Sequence, residues 1–377
     1  MKILAIESSC DETACAVVED GVTILSNVVA SSTAMHEKYG GIVPELAARE
    51  QLRCILPVIK EAVIPLQQFN NLTIQQCINK CVDAVAVTVG PGLIGSLLVG
   101  VETAKTIAFV CRKPLIPVNH VLAHMYANFL ESAQENSPRV KSRGNNIKIP
   151  FPAVSLVVSG GHTELYLMKS IKDLRWLGGA LDDAAGECFD KTARLLGFGA
   201  GGGVAIQEAA QTHPASRIPH PAKLPRPMIN DNSLNFSFSG LKTALLREVE
   251  KLKNNQQFNP SIPSNVEGLR AGNITIQQLA SEVQEAITDV LVVKTIKAAH
   301  IYNAKSILIS GGVAANLRLR EKFKVKSLKC KVIAPPVQLC TDNAVMIGSY
   351  AFFRGKPLDW HQTTALPDLP IEVSSRS

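Results

Sequence analysis

Lys2-Ile3-Leu4-Ala5-Ile6-Glu7-Ser8, a short polar loop and Ala14-Cys15-Ala16-Val17-Val18-Glu19 read as a β-hairpin, and the second half of the chain repeats the pattern. There Ala153–Ser159, a Gly160-Gly161 turn and Thr163–Lys169 have the same form. The elements after each hairpin also repeat. After the first come an amphipathic helix over Pro44–Val63, a buried-type strand over Asp83–Val89, a glycine turn and a helix near Ser96–Val110. After the second come a long helix near Ile276–Tyr302, the strand Ser306–Ile309, the turn Ser310-Gly311-Gly312 and a helix near Asn316–Phe323. Pro114–Val118 then runs into a helix from His120, as Lys331–Ala334 runs through a loop into a helix from Asp342. Three correspondences in order predict a duplicated α/β unit. The expected divisions are an N-terminal lobe 1–131, a Ser/Pro/Arg/Asn-rich linker or insert 132–150, a C-terminal lobe 151–355 and a tail 356–377. Strand-end loops in such a fold are expected to line an interlobe crevice. His120 and His124 would then face Asp342 from the opposite lobe.

Bulk properties fit this division. The 377 residues are 46% hydrophobic and 19% charged, enough apolar material for two globular cores. No uninterrupted apolar run reaches the roughly 18 residues of a membrane span. The strand-like start suggests a cytoplasmic chain without a signal peptide. Nine cysteines, with no Cys-x-x-Cys, suit a reducing compartment and structural roles. The net charge of +7 is compatible with a polyanionic partner. Basic residues concentrate in 139–148 and in 318–331, where Lys322, Lys324 and Lys326 are candidate phosphate contacts, although a solvated face would look the same.

His120 and His124 lie four apart at a helix start, a spacing that suits two imidazoles on one metal but is also common among packed histidines. A carboxylate at the equivalent position of the other lobe, Asp342, favours the metal, and Asp342 could also cap its helix. Between the histidines stand Val121, Leu122 and Ala123, so the His-Glu-x-x-His general base of a metalloprotease is missing. Gly90-Pro91-Gly92-Leu93-Ile94-Gly95 matches a dinucleotide-binding turn, but the next strand ends in Asn119-His120 rather than an acid. The glycines then serve a tight turn, structural or at a ligand. Three more turns suit nucleotide oxygens: Ser159-Gly160-Gly161-His162-Thr163, Ser310–Asn316 and Gly199–Gly203. In 182–192, Glu187, Asp190 and Lys191 either meet ribose and phosphate or form ordinary helix-surface pairs.

Taken together, Ile6-Glu7-Ser8-Ser9-Cys10-Asp11-Glu12-Thr13, Tyr39-Gly40-Gly41-Ile42-Val43-Pro44-Glu45-Leu46-Ala47, Val158–Thr163, Phe236-Ser237-Phe238-Ser239-Gly240-Leu241-Lys242-Thr243 and Cys340-Thr341-Asp342-Asn343 closely resemble the bacterial form of the TsaD/Kae/Gcp family. The likeness runs from residue 1 to about 355. It implies an actin-like ATPase (ASKHA, sugar kinase/Hsp70) fold and a tRNA N6-adenosine threonylcarbamoyltransferase, of a family once described as O-sialoglycoprotein endopeptidases. It implies one divalent metal, iron or zinc, on His120, His124 and Asp342. Donor contacts are implied at Val157, Val158, Ser159, Gly160, Gly161, Asp190, Gly203 and Asn316, with His162 beside them. The implied donor is threonylcarbamoyl-adenylate, and the acceptor is the adenosine 3′ of the anticodon in tRNAs that read codons beginning with A. Implied partners are tRNA, an inactive TsaB-like paralogue and a small TsaE-like ATPase, with no membrane. Two departures stand out. Leu122-Ala123 replaces the family's Glu-Gly, and Gly201-Gly202-Gly203-Val204 lacks both prolines of the family's Pro-Gly-Gly-Pro loop. Inserts near 132–149 and 251–273 are particular to this chain.

Acyl transfer from a mixed anhydride to an exocyclic amine needs a proton acceptor, and Asp11 or Glu12 on the first hairpin turn is the candidate. Two rival readings are a nucleotide-driven chaperone or ATPase-like switch module and, less favoured for want of the intervening glutamate, a metalloprotease.

Overall fold

The computed structural model describes residues 1–66, 72–131, 149–199, 201–212, 223–254, 275–326 and 329–371. The basic cluster at 139–148 and most of both inserts lie outside these residues. The chain forms two compact units, one of residues 1–149, 171–173 and 335–373 and one of 150–170, 174–334 and 374–377.

The first unit is built on β1 (Lys2–Glu7), β2 (Glu12–Glu19), β3 (Thr23–Ser31), β4 (Ala84–Gly90) and β5 (Leu115–Asn119), in sheet order β3-β2-β1-β4-β5. The hairpin is antiparallel, and β4 and β5 add in parallel. Its helices are α1 (Thr33–His36), α2 (Pro44–Val63), α3 (Ile74–Cys81), α4 (Ile94–Cys111) and α5 (His120–Tyr126). The second unit has β6 (Ala153–Val158), β7 (Thr163–Met168), β8 (Leu174–Gly179), β9 (Ser306–Ser310) and β10 (Lys331–Ile333), ordered β10-β9-β6-β7-β8. Renumbered from its own first strand, this is the same order with the same parallel and antiparallel pairs. Its helices are α6 (Ala185–Leu195), α7 (Gly202–Thr212), α8 (Ser239–Asn254), α9 (Ile276–Ile301) and α10 (Leu317–Lys326). The expected duplication is therefore present. Strands β3 and β8, which carry no clean alternation, are additions to it.

One expectation fails. Residues 335–373, including α11 (Ala344–Arg354), cluster with the first unit and not with a lobe spanning 151–355. The cause is packing. Val345, Met346, Ile347 and Ala351 of α11 bury against Ile3, Ala5, Ala14, Ala16, Val18, Ala84 and Ala86 on one face of the first sheet. That face is rich in alanine, so the helix backbone comes close to it. Asp342 thus reaches the site from the same unit as the histidines. Nor does it cap the helix: Asn343 does, its Oδ1 accepting from the Met346 amide at 3.2 Å. Asn119 does the same for α5, accepting from the Leu122 amide at 3.1 Å. Each cap satisfies an amide that helix geometry leaves without a partner.

The opposite face carries α2 and α4, which bury Ile55, Ile59, Leu97 and Val101. Among the described residues, α4 is the one helix long and apolar enough to cross a membrane. Here its Leu97, Val101, Ala104 and Ala108 are in the core. The Gly90–Gly95 turn is filled by the chain itself: a Cβ at Gly90 would collide with the Leu366 carbonyl, and one at Gly92 would lie 2.5 Å from the Ser9 carbonyl. Its glycines allow backbone to meet backbone.

The close approach of α11 is testable at Gly348, where a Cβ would sit 2.8 Å from Val18 Cγ2. Gly348→Ala should destabilise the protein by about 1–3 kcal/mol through overpacking, read as a lower thermal midpoint. Gly160→Ala, with nothing within 4 Å, should leave the midpoint nearly unchanged.

Candidate active site

His120 is the first residue of α5 and His124 lies one turn on, both buried, with ring centroids 4.8 Å apart and edge-on. Asp342 Oδ1 lies 3.5 Å from His120 Nε2 and 3.3 Å from His124 Nε2. Among the described residues this is the one group of three such side chains whose ligand atoms come together, all within 4.8 Å. The donor set suits a divalent cation. Two imidazoles and a carboxylate leave open positions, as catalytic zinc and non-haem iron sites do. The hydrogen bonding fits as well. Neither ring nitrogen of His124 has a hydrogen-bond partner although the ring is fully enclosed, an arrangement costly for an imidazole unless something else takes the lone pair.

The other imidazole is anchored. His120 Nδ1 lies 3.1 Å from Glu7 Oε2 and 3.2 Å from Ser9 Oγ. Glu7, 1% exposed at the end of β1, also accepts from the Thr88 hydroxyl and, through Oε1, from the Ser9 amide at 2.7 Å. Burial opposes the charge on Glu7, but His120 and Ser9 outweigh it and hold the carboxyl below its ordinary range. Burial likewise opposes protonation of His120, and the facing carboxylates of Glu7 and Asp342 push it up to about 9. Glu12 is pushed up to about 9 by burial first, then by Asp342 and by Asp11. Asp11 accepts from the Thr33 hydroxyl at 2.8 Å, and its carbonyl accepts from the Ser32 amide and hydroxyl, which ties the hairpin turn to α1.

In the second unit the expected turns meet around the start of α6. The Ser159 carbonyl accepts from the Gly186 amide at 3.2 Å and the Gly160 carbonyl from the Glu187 amide at 3.0 Å. Gly311, at φ +89°, packs its Cα on the Val158 carbonyl, where a Cβ would collide. Val157 and Val158 are fully buried strand residues, so accessible groups in this stretch begin at Ser159. Gly160 and Gly161 have nothing within 4 Å of a Cβ position. Asp190 lies beside Gly202, and burial raises its carboxyl against the pull of Arg194. The glycine loop thus reaches Asp190 even without its prolines. Gly203 has open space around it, while Ala200 is outside the described residues. The Asn316 amide is already engaged: Nδ2 donates to Gln284 at 2.9 Å and Oδ1 accepts from the Leu319 amide at 3.0 Å. Lys191 is paired to Asp183 at 2.6 Å and Glu187 at 2.8 Å, the helix-surface arrangement.

The family model for TsaD, tRNA N6-adenosine threonylcarbamoyltransferase, matches residues 23–349. The chain belongs to this family. Its activity is therefore transfer of a threonylcarbamoyl group to adenosine N6 in tRNA. The family enzyme of Persephonella marina is 44% identical over 94% of this chain and 91% of its own. That of Dehalococcoides mccartyi is 47% identical, covering 94% of each. Among solved structures, T. kodakarensis HypF matches with a TM-score of 0.52 at 13% identity, covering 93% of this chain and 47% of its own. That is a likeness of fold alone. With the two identical sheet orders, it places the chain in the duplicated actin-like ATPase class.

Sequence reading assigns no role to Glu7, Ser9 or Thr88. An acid ending an otherwise apolar strand is the available signal. The expectation for Lys322 is overturned. Its ammonium is buried, 2.8 Å from both Glu285 and Asp289 and 2.8 Å from the Thr288 hydroxyl, with Arg318 on the same Glu285. Periodicity alone cannot tell a lysine pointing at a neighbouring helix from one pointing at water.

Two outcomes are expected. Lys322→Gln should lower stability by about 1–3 kcal/mol, since it removes the buried donor shared by Glu285, Asp289 and Thr288 while Arg318 and Arg226 still pair the carboxylates. Thermal unfolding that matches the parent protein would contradict this. Near neutral pH the metal-free protein holds a proton on His120, and ligation needs a neutral ring. Binding of Zn2+ should therefore release close to one proton and weaken as pH falls, read by calorimetry in buffers of different ionisation enthalpy.

Proposed function

We propose that this transferase takes its acyl group from threonylcarbamoyl-adenylate and delivers it to N6 of the adenosine 3′ of the anticodon, position 37, in tRNAs reading codons that begin with A. One iron or zinc ion would be held by His120, His124 and Asp342. The adenylate would be held at Ser159, Gly160, Gly161 and His162, with Asp190, Gly203 and Asn316. The Asn316 side chain keeps one N–H and one lone pair beyond its two internal hydrogen bonds for such a contact. The observation that supports this most is the enclosed His124 ring, which makes no hydrogen bond and has its Nε2 3.3 Å from Asp342 Oδ1, in a member of this family.

In the reaction the N6 nitrogen attacks the carbamoyl carbon, a C–N bond forms, the carbon–oxygen bond to phosphate breaks and AMP leaves with that electron pair. A divalent cation bound at the triad supplies positive charge for the oxygens on which negative charge grows. The proton lost from N6 goes to Asp11 in this reading. Glu12, whose carboxyl is held protonated by burial, acts as a hydrogen-bond donor that orients the adenine. The adenine has to leave its stack to react, so tRNA affinity rests on phosphate contacts and falls with salt. A TsaB-like paralogue and a TsaE-like ATPase are the proposed partners, on the family likeness alone.

The test is nucleoside analysis of tRNA incubated with the protein and preformed donor. Threonylcarbamoyladenosine should appear with the parent protein and be lost with Asp342→Ala. Asp11→Asn should slow transfer by about 10²-fold or more and Glu12→Gln by less. ATP binding with unmodified tRNA would favour the switch-module reading instead.

A further inference from the structure

We infer that Glu7 is a positioning residue of the metal centre: its carboxylate fixes the His120 imidazole with the proton on Nδ1, leaving the Nε2 lone pair for a cation shared with His124 and Asp342. This rests on the reading of that triad as a metal site. The inventory of donors carries it. Glu7 has two oxygens and meets three donors, namely the Ser9 amide at Oε1 (2.7 Å) and the Thr88 hydroxyl and His120 Nδ1 (3.1 Å) at Oε2. The Ser9 amide is a fixed donor, so Oε1 must accept. Thr88 and His120 then share the other oxygen, whose two lone pairs accept both, and only an acceptor-only group serves all three; the Ser9 hydroxyl, 3.2 Å from Nδ1, can accept the same ring proton. Glu7 and Thr88 are buried, so water cannot substitute.

An amide at this position cannot reproduce the pattern. In Glu7→Gln the carbonyl satisfies the Ser9 amide only by turning the NH2 group toward His120 Nδ1. That nitrogen must then accept, which moves the ring proton to Nε2, the atom facing Asp342. Turned the other way, the NH2 group confronts the Ser9 amide. The first arrangement opposes ligation by His120, and the second keeps it only at the cost of two donors facing each other at the Ser9 amide. His124 offers a contrast within the same site, because its Nδ1 has no hydrogen-bond partner to fix the ring from behind and its Nε2 has only Asp342 Oδ1, at 3.3 Å. Orientation of His120 therefore falls to Glu7, which lies behind the ring on the Nδ1 side, away from Asp342.

Zn2+ affinity of the metal-free full-length protein, measured by chelator competition, should fall about 10–100-fold in Glu7→Gln. Thr88→Val removes only the hydroxyl that shares Oε2 and should stay within a few-fold of the parent. In the Zn2+-loaded parent with 15N-labelled histidine, long-range NMR correlations should show a proton on His120 Nδ1. Parent-like affinity in folded Glu7→Gln, or ligation of His120 through Nδ1, would overturn the inference while leaving the metal site intact. Should Glu7→Gln fail to fold, the parent NMR spectrum decides alone. A parent protein that binds no Zn2+ would overturn the metal-site reading itself, and this inference with it.

Discussion

The return of residues 335–373 to the first sheet is the constraint on which the candidate site depends. The sheet face that receives α11 is lined by Ala5, Ala14, Ala16, Ala84 and Ala86, with Gly348 on the helix side. Small residues on both sides let the helix approach until Gly348 packs on the Val18 and Ala5 side chains, which sets the start of α11 and so the place of Asp342. Side chains in a close-packed interior transmit sub-ångström shifts rather than absorbing them. The ligand geometry is thus a property of the whole α11–sheet interface.

On that scaffold the electrostatics are lopsided. Glu7, Glu12 and Asp342 gather around His120, with His124 the one other imidazole in the triad. Without a cation the excess negative charge is met by protons, on His120 and on Glu12, both pushed up to about 9. Of these, the proton on the ligand His120 is the one exchanged when metal arrives. Perturbed groups of this kind concentrate where chemistry is done. In the second unit Lys322, Arg318 and Arg226 are met by Glu285, Asp289 and Glu282 on α9. That cluster joins α9 and α10 and is structural.

Much of the fold is legible because periodicity and glycine punctuation record local geometry. Helix α2 reads as Pro44–Val63 and has those limits, and β1, β2, β6, β7 and β9 agree within a residue or two. Strand β3 escapes a pattern reading because it is an edge strand with mostly half-exposed residues, and it lacks the apolar run of its neighbours. His120 and His124 are legible as a pair because helix geometry puts i and i+4 on one face. Analogy between the two halves points to Asp342, which the structure brings beside the two histidines, but to the wrong unit.

By itself, the sequence determined the duplicated strand and helix order, the glycine turns and the identities of the three candidate ligands, since these are written in patterns of neighbours close along the chain. Only the tertiary structure decided which unit supplies Asp342, that Lys322 is buried in an ion cluster and that Glu7 and Thr88 stand behind His120. Glu7 lies 81 positions from Thr88 and 113 from His120, and the Lys322 cluster joins two separate helices. Such contacts are set by which faces pack together, and no local pattern encodes them.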